Sequence, residues 1–320
     1  MSKITIQQIA KLAGVNKATV SRVLNKSASI SEKTRLKIET IMKENNYIPN
    51  SIARGLAFNK TFTVGFCFDY TDKQAFSNPF FYKVLQGVEE VIYDNDYLFL
   101  MMSDHDKKNE KSTFERIVTE HRVDGIIMPN SLLNEMNYNL LISHNMPFVV
   151  IGENILVKEG IRWVDVDNTH AAQILTEKLI SLGHRNIVIF AEAAAIQRDK
   201  FIVDRLEGYK KAIQQHGMIP RIIDGQDQLN DQLLPDAVIC CSHEQLFEIL
   251  EWERDNPDLA EIGLATFDDS PMFRHMRHPV HFVEIDLEMM GKQSAELLFK
   301  LINNEVNVPE SIRIPTILIN

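Results

Sequence analysis

The sequence predicts an all-α helix-turn-helix head followed by a larger α/β body built on parallel sheets. Three observations support this fold class. Apolar residues in the first sixty positions recur with helical spacing in three short segments. Beyond position 61, short β-rich apolar runs alternate with amphipathic segments, as strands alternate with helices. The charge changes at the same point: residues 1–60 carry eleven Lys or Arg and three Glu, a net +8, and the remainder carries a net −18.

The composition is that of an ordinary globular protein of 320 residues, with 45% hydrophobic and 24% charged residues. No apolar run approaches the roughly 18 residues of a membrane span, so we expect no membrane partner. The N-terminal MSKITIQQIAK has no apolar core of the kind that an export signal needs. The three cysteines, Cys67, Cys240 and Cys241, are sparse and odd in number, which does not suit a disulfide framework. These features predict a cytoplasmic location.

Three helices are predicted in the head. The first begins after Thr5, a residue type that caps helix N-termini, and ends before Gly14. The second covers Lys17–Leu24, and the third covers Lys33–Glu44 after the cap residue Ser31. Their apolar residues share one face of each helix: Ile6, Ile9, Ala10 and Ala13; Val20, Val23 and Leu24; Ile38, Ile41 and Met42. Two short helices around a tight turn, braced by a third, form a helix-turn-helix.

The exposed face of the second helix suits the major groove of double-stranded DNA. Arg22 has the fork that pairs with guanine O6 and N7, and Ala18 can contact a thymine methyl group. Short hydroxyl and amide side chains suit phosphates. The DNA contacts that we predict in the head are Thr5, Lys17, Ala18, Thr19, Ser21, Arg22 and Asn25. The alternatives are a three-helix module that binds protein and a basic end that is merely solvated.

The body alternates strand-like runs with helical segments. The strand-like runs are Val64–Phe68, Tyr97–Met101, Gly125–Met128, Phe148–Ile151, Trp163–Val166, Ile187–Phe190, Ile219–Ile223, Ala237–Cys240 and Gly263–Phe267. The helical segments are Phe80–Asp94, Ser112–His121, Asn168–Leu182, Val203–Gln215, Gln245–Glu253 and Glu288–Ile302. This alternation predicts parallel sheets covered by helices on both faces. The strands are too many for one doubly wound sheet, so we expect two.

The head and the segment after it resemble a known family. The stretches TIQQIAKLAGVNKATVSRVLN and ISEKTRLKIETIMKENNYIPNSIARGLAFNKTFTVGF closely resemble the head and hinge of the lactose/galactose repressor family of transcriptional regulators. The resemblance implies a hinge that forms a helix only on operator DNA. Its implied minor-groove contacts are Asn50, Ala53 and Leu56. An apolar wedge such as Leu56 can open a base step and kink the duplex, at a cost of a few kcal/mol.

Several phrases of the body resemble the effector domain of the same family, which is similar to periplasmic sugar-binding proteins. They are Pro147-Phe-Val-Val-Ile-Gly152, Val164-Asp-Val-Asp-Asn168, Leu179-Ile-Ser-Leu-Gly-His-Arg185, Arg205-Leu-Glu-Gly-Tyr209 and Phe267-Asp-Asp269. The resemblance implies a periplasmic-binding-protein-like body of two doubly wound parallel-sheet lobes around a cleft. We expect the chain to cross between the lobes near Gly152–Ile161 and to return near His281–Glu288.

These expectations divide the chain into three parts. The predicted boundaries are 1–46 for the DNA-binding domain, 47–60 for the hinge and 61–320 for the effector-binding and dimerisation domain. Within the last, the first lobe covers about 61–160 and 288–320, and the second covers about 161–287. The C-terminal run Ile312–Asn320 predicts a final strand and lacks the leucine-rich helix of tetrameric family members, which favours a homodimer.

Two residues are the best candidates for contacts with a small molecule. In open α/β sheets, ligands bind beyond the carboxyl ends of the strands. Asp268 directly follows the predicted strand Gly263–Phe267 and can accept hydrogen bonds from a sugar hydroxyl. Arg205 matches the arginine that family members point into the cleft, and a guanidinium donates several hydrogen bonds at once. The alternatives are a surface salt bridge for Arg205 and a turn or N-cap carboxylate for Asp268.

Further candidates surround these two. Asn78-Pro-Phe-Phe81 resembles the maltose-type repressors of the family, and one of the two aromatic rings would stack on a sugar while the other belongs to the core. The Asp167–Asn168 pair follows another strand and alternatively caps a helix. Many members have Ala-Asn-Asp where this chain has Cys241-Ser242-His243, so Ser242 and His243 are possible replacements. The predicted effector contacts are Asn78, Phe80, Phe81, Trp163, Arg205, Ser242, His243 and Asp268.

The motifs of common enzymes are missing from the sequence. It has no phosphate loop, no dinucleotide fingerprint, no zinc-protease motif and no Cys/His cluster with metal spacing. We therefore expect no enzyme activity, no cofactor and no metal; a basic head without an export signal argues against a solute-binding protein. The residues and the resemblance predict a homodimeric repressor of palindromic operator DNA, controlled by a small carbohydrate such as maltose or another α-glucoside-like sugar. The alternative is a catabolite-control regulator that responds to a sugar phosphate or a protein co-effector.

Overall fold

The computed structural model describes two compact units, Met1–Thr61 and Phe62–Asn320. The described residues are 4–24, 29–47, 55, 58–68, 79–103, 111–153, 155–156, 158–229, 234–256, 262–276 and 279–319. Five predicted contact residues lie outside them: Asn25, Asn50, Ala53, Leu56 and Asn78.

The first unit contains the helices that the sequence predicts. They are α1 (Ile6–Ala13), α2 (Lys17–Leu24) and α3 (Glu32–Glu44). A capping box starts α1: the amide of Gln8 donates to Oγ1 of Thr5 at 3.4 Å, and the amide of Thr5 donates to Oε1 of Gln8 at 2.8 Å. Gly14 ends α1 in the left-handed conformation, with φ 66°. The three helices enclose a small buried core of Ile9, Ala10, Ala13, Val20, Val23 and Ile38.

The second unit is built on two six-stranded sheets. The strands of the first are β1 (Thr63–Cys67), β2 (Leu98–Met102), β3 (Gly125–Pro129), β4 (Phe148–Ile151), β5 (Trp163–Val166) and β11 (Ser311–Ile314). Their spatial order is β11-β5-β4-β3-β1-β2, with every neighbouring pair parallel. We call this sheet with its helices the first lobe.

Helices cover both faces of the first sheet, as a doubly wound fold requires. The helices are α4 (Pro79–Asp94) and α11 (Leu287–Ile302) on one face, and α5 (Thr113–Thr119) and α6 (Glu135–Ser143) on the other. Helices α4 and α11 cross very closely because each has a glycine at the contact. A Cβ on Gly87 would lie 2.0 Å from the carbonyl oxygen of Glu288, and one on Gly291 would lie 2.1 Å from that of Val84.

The second lobe has the same plan. Its strands are β6 (Ile187–Phe190), β7 (Ile222–Ile223), β8 (Ala237–Cys240), β9 (Gly263–Phe267), β10 (Val280–Ile285) and β12 (Thr316–Ile319), in the order β12-β10-β9-β8-β6-β7. Only β12 runs antiparallel to its neighbour among these paired strands. Its helices are α7 (Asn168–Ser181) and α9 (Lys200–Gln215) on one face, α10 (His243–Asp255) on the other, and the short α8 (Ala193–Arg198) before α9.

The structure corrects the predicted lobe boundaries. The segment Gly152–Ile161 is not a crossing, because β5 pairs with β4 and β11 in the first sheet. The chain first crosses at Asp167, which caps α7, and returns at Asp286, within the predicted range. The C-terminal run is not one strand either. Pro315 separates β11 in the first sheet from β12 in the second, and proline cannot continue a hydrogen-bonded ladder, so the chain changes sheets there.

Three elements were missed from the sequence. Strand β10 carries His281 and Glu284 within an otherwise apolar run, which hid its pattern. Helix α6 begins at a cap, Asn134, but its apolar residues do not gather on one face, and α8 is a single short turn rich in alanine. In the part of the chain that the structure describes, no helix has the length and apolar character needed to cross a membrane.

Candidate functional site

The predicted DNA-facing residues of the head lie on α2, opposite its buried side. Lys17, Ala18 and Arg22 are exposed, and Ser21 is half-buried beside them. Thr19 is also half-buried, and its hydroxyl donates to Oδ1 of Asn16 at 2.9 Å, an interaction that starts α2. The hydroxyl of Thr5 takes part in the capping box of α1 and stays exposed. The head therefore presents one exposed surface with two cations and a small apolar side chain.

In the second unit, Arg205 is held at the carboxyl end of the second sheet. Its side chain projects from α9 and is only 7% exposed. Nε donates to Oδ1 of Asn168 at 3.0 Å, and Nη1 donates to the carbonyl oxygen of Cys241 at 2.6 Å. Cζ lies 3.8 Å from the ring centroid of Phe267 and 4.9 Å from that of Phe201. The guanidinium is thus fixed in position by two hydrogen bonds and two aromatic rings.

Asp268 lies next to this guanidinium, directly after β9. Its backbone is in the left-handed region, with φ 68°, which an aspartate adopts more readily than most residues. Its Oδ1 atom is buried and has no hydrogen-bond partner among the described residues. Burial raises the pKa of the Asp268 carboxyl above its ordinary value, and the positive charges of Arg205, His243 and Lys83 oppose that rise. Lys83 is on α4, so the first lobe adds to the electrostatic field at Asp268.

A second buried carboxylate, Asp165, lies near the end of β5 in the first lobe. It is 5% exposed, and it accepts hydrogen bonds from the amides of Glu153 at 2.8 Å and Val166 at 2.7 Å. Nδ2 of Asn168 donates to Oδ1 of Asp165 at 3.2 Å. Burial raises the pKa of Asp165, while these two backbone amides and Arg205 act in the opposite direction. Asn168 therefore bonds Asp165 on one side and Arg205 on the other.

Ser242 and His243 serve the protein's own structure. Oγ of Ser242 accepts a hydrogen bond from the amide of Gln245 at 3.3 Å and caps α10. Nε2 of His243 donates to the carbonyl oxygen of Phe267 at 3.0 Å, and its ring contacts Phe273. These two bonds leave the hydroxyl hydrogen of Ser242 and Nδ1 of His243 for a ligand, so the interpretation of the two side chains as replacement sugar contacts stays a prediction.

The aromatic candidates differ in position. Phe80 and Phe81 are half-buried in the first turn of α4 and pack against the core of the first lobe. Phe81 contacts Phe68, with ring centroids 5.5 Å apart, so it closes the carboxyl end of β1. Trp163 starts β5, and a strand rises about 3.3 Å per residue, so it is roughly 10 Å from the carboxyl end of that strand. Its ring faces Arg313, 5.5 Å from Cζ, and not Arg205 or Asp268.

The structure therefore brings Arg205 and Asp268 together and leaves Trp163 away from them. Asp165 and the carbonyl oxygen of Cys241 were missed from the sequence. Asp165 had a signal: a carboxylate inside an otherwise buried strand needs a partner. The carbonyl oxygen of Cys241 had none. Asn168 was a candidate at a strand end, but its bond to Arg205 is recognisable only once the fold is known. The described residues include no group of three His, Cys, Asp or Glu side chains that could hold a metal ion.

Comparison with known families matches both units. Residues 5–50 match the model for bacterial regulatory proteins of the lacI family. Residues 63–238 match the model for periplasmic binding proteins and the sugar-binding domain of the LacI family, and residues 176–320 match a periplasmic binding protein-like domain. Together these matches cover the head and almost the whole body.

Individual relatives agree with these matches along the full chain. The transcriptional regulator MalR of Staphylococcus xylosus is 30% identical over 99% of this chain and 96% of its own. Catabolite control protein A of the same organism is 30% identical over 94% of this chain and 93% of its own. The solved complex of the transcriptional regulator CelR with cellobiose is 26% identical, covers 99% of both chains and superposes with a TM-score of 0.71. All three are named as regulators and none as an enzyme, and the chain belongs to the lacI family of bacterial regulatory proteins.

Proposed function

We propose that this transcriptional regulator is a homodimeric repressor that binds palindromic operator DNA and releases it when a small sugar, maltose or a similar α-glucoside, enters the body. The observation that carries the proposal is the buried Oδ1 of Asp268, which has no hydrogen-bond partner among the described residues and lies beside the fixed guanidinium of Arg205. A buried carboxylate oxygen without a donor is costly, and a ligand hydroxyl would satisfy it.

A sugar suits this pair better than an anion does. Arg205 has five N–H donors, and the hydrogen bonds within the described residues use two of them. Asp268 accepts and Arg205 donates, so one ligand hydroxyl can bond both at once. An anion would meet the Arg205 cation and also the negative charge of Asp268, and Asp165 lies close by. Neutral polyols avoid that repulsion.

The named relatives support the choice among sugars. The S. xylosus relative is named MalR, and a further MalR, from Streptococcus pneumoniae, is 31% identical over 95% of this chain. The CelR structure holds cellobiose, whose linkage differs from that of maltose. Half-buried Phe80 and Phe81 supply apolar surface for the face of a pyranose ring at the start of α4. We therefore place maltose ahead of cellobiose.

The experiment is thermal unfolding of the full-length protein with maltose, cellobiose and glucose 6-phosphate, each over a range of concentrations. A ligand at about 100 times its Kd adds about 2.7 kcal/mol to the free energy of unfolding, which raises Tm. We expect a shift with maltose, and none with maltose in Asp268→Asn. A shift with cellobiose alone would replace the α-glucoside proposal, and one with glucose 6-phosphate alone would favour a catabolite-control regulator, the class suggested by the relative named catabolite control protein A.

Two copies are needed because one head gives modest affinity and two read a palindrome. The free edge of the first sheet supplies a surface for a second copy. On strand β2 at this edge, Leu98 is 69% exposed, and Tyr93 at the end of α4 is 75% exposed. A Leu98→Lys variant should sediment as a monomer at concentrations where the natural protein is a dimer, and a Lys111→Ala control should stay dimeric.

The proposed repressor has a DNA-binding domain, a hinge and an effector domain. We take 1–46 as the DNA-binding domain, 47–60 as the hinge and the rest as the effector and dimerisation domain. The proposed DNA contacts are Thr5, Lys17, Ala18, Thr19, Ser21, Arg22, Asn25, Asn50, Ala53 and Leu56. A repressor of transcription acts where the DNA is, so we place it in the cytoplasm. Sugar releases the operator only if it binds one arrangement of the lobes better than the other, since equal affinity shifts no population.

A further inference from the structure

A continuous line of hydrogen bonds connects the first lobe to Arg205 in the second. Asp165 in β5 accepts from Nδ2 of Asn168 at 3.2 Å, and Oδ1 of Asn168 accepts from Nε of Arg205 at 3.0 Å. All three residues are buried, with 5%, 2% and 7% of their surface exposed. Asn168 is the first residue of α7, immediately after the chain crosses between the lobes. The line therefore passes through the first connection between the two lobes.

The chemistry of the three groups determines the orientation of the amide. A guanidinium only donates hydrogen bonds, so Arg205 must face the oxygen of Asn168. The amide nitrogen of Asn168 then points at Asp165, which must accept. Exchanging the oxygen and nitrogen would place two donors face to face and leave Asp165 without this donor. Asp165 thus holds Asn168 in the one orientation that accepts from Arg205.

The other bonds of Asp165 extend the line into the first sheet. Its Oδ2 accepts from the amide of Glu153, which follows β4, at 2.8 Å. The carboxylate of Glu153 accepts in turn from Arg313 on β11 at 3.0 Å. Three neighbouring strands of the first lobe are therefore joined to Arg205 in the second.

We propose that Asp165 and Asn168 are positioning residues of the sugar site: they hold the Arg205 guanidinium in its binding orientation and couple it to the first lobe. This rests on the proposed function, in which Arg205 contacts the sugar. A sugar that bonds Arg205 would then also favour the lobe arrangement in which the line of hydrogen bonds is complete.

The test uses four variants of the full-length protein. Asp165→Asn changes the acceptor into an amide, and Asn168→Asp places a second carboxylate 3.2 Å from the first. The double variant Asp165→Asn with Asn168→Asp keeps the net charge and gives Arg205 a carboxylate acceptor at position 168. The amide at position 165 still turns one N–H group toward the backbone amides of Glu153 or Val166, so it restores the hydrogen bonds only in part. Asp167→Asn is the matched control. Asp167 lies between positions 165 and 168 and caps α7, but its side chain accepts from the amide of His170 and takes no part in the line of hydrogen bonds.

The first readout needs no ligand. With 15N-labelled arginine, the Nε–H signal of Arg205 is assigned by its loss in Arg205→Lys, and its exchange with water is measured. We expect exchange at least about tenfold faster in Asp165→Asn, a smaller acceleration in Asn168→Asp and in the double variant, whose carboxylate at position 168 still accepts from Arg205, and a rate within about threefold of the natural one in the control. Unchanged exchange in Asp165→Asn would overturn the proposal. Equally fast exchange in the Asp167→Asn control would also overturn it, because the faster exchange would then come only from a weakened N-terminus of α7.

The second readout is maltose affinity. Asp165→Asn should raise the Kd about tenfold, and the double variant should recover part of that loss. If the natural protein does not bind maltose, the proposed effector fails, and the exchange of Arg205 Nε–H still decides whether the positioning residues exist. If maltose binds with the same Kd in Asp165→Asn, the coupling to the first lobe is wrong even though the sugar site stands.

Discussion

The guanidinium of Arg205 lies over the ring of Phe267, with Cζ 3.8 Å from the ring centroid, and Phe267 is the residue immediately before Asp268. The end of β9 thus provides both the surface on which Arg205 rests and the carboxylate beside it. The backbone of Asp268 has φ 68°, so its side chain no longer follows the pattern in which successive side chains of a strand point to opposite faces of the sheet. One strand end therefore sets the relative position of a donor and an acceptor.

Replacing Arg205 should separate sugar response from DNA binding. Arg205→Ala removes the donors and leaves Asp268 and Asp165 without their buried cation, so both sugar response and stability should fall. Arg205→Lys keeps the charge but loses the planar fork, and should lose at least about tenfold in maltose affinity with a smaller loss of stability. Operator binding without sugar should persist in both, as measured by fluorescence anisotropy with labelled operator. A full sugar response in Arg205→Ala would remove this residue from the site.

Maltose binding should weaken in mild acid. Burial raises the pKa of Asp268, so its carboxyl takes up a proton at a higher pH than an ordinary aspartate. The protonated form has lost the negative acceptor that we assign to a sugar hydroxyl, so affinity should fall as the pH drops through that raised pKa. Calorimetric titration between about pH 8 and pH 5 measures this, a range in which an ordinary aspartate stays ionised. Asp269→Asn should show the same profile, whereas residual binding by Asp268→Asn should change less over this range, because only the buried carboxyl of Asp165 is then left to take up a proton at the site.

All three thiols should be unreactive in the folded protein. Cys67 and Cys240 are 0% exposed and Cys241 is 1% exposed. Burial raises the pKa of Cys241 to about 12, so its thiol stays protonated at ordinary pH, and only the thiolate reacts. A disulfide reagent at about pH 8 should label no thiol quickly in the native state and all three in guanidinium chloride. A Lys211→Cys control should react at once, and rapid labelling of the natural native protein would contradict the buried positions.

Gly208→Ala should destabilise the second lobe. A Cβ at this position would lie 2.0 Å from the carbonyl oxygen of Thr169, where α9 crosses α7. An alanine for glycine in a helix usually stabilises by about 0.4–1 kcal/mol, but here the two helices must move apart. We expect the free energy of unfolding to fall by at least about 2 kcal/mol, measured by urea denaturation. Lys211→Ala, on the exposed face of the same helix, should change it by less than about 0.5 kcal/mol.

Leu56→Ala should weaken operator binding far more than non-specific binding. Leu56 lies outside the described residues, and its role as a wedge follows from the resemblance of the hinge to the family. Loss of a wedge that kinks one base step should cost at least about tenfold in operator affinity and leave random DNA affected by less than about twofold. Lys17→Ala, which removes one positive charge from the exposed face of α2, should weaken both kinds of binding alike. Equal losses in Leu56→Ala would show that it is not a wedge.

Much of the fold can be predicted from patterns among residues that are close together in the sequence. The helices of the head follow from cap residues such as Thr5 and Ser31 and from apolar spacing, because both act between residues within four positions of each other. Strands β3, β4 and β6 follow from short apolar runs for the same reason. Asp268 could be selected because it directly follows a predicted strand, and Arg205 because it matches an arginine of the family.

What the sequence leaves open depends on pairing between distant segments. Whether Trp163–Val166 belongs to the first or the second sheet is decided by its hydrogen bonds to β4 and β11, and β11 follows about 150 residues later. Ser242 and His243 were suitable ligand contacts by residue type, and only the fold shows that Oγ of Ser242 also starts α10 and that Nε2 of His243 also bonds Phe267. Asn168 looked like a helix cap, and only the approach of α9 made it a partner of Arg205. Local residue type determines what a group is able to bond, but the packing of the two sheets determines which of its possible partners arrives within 3 Å.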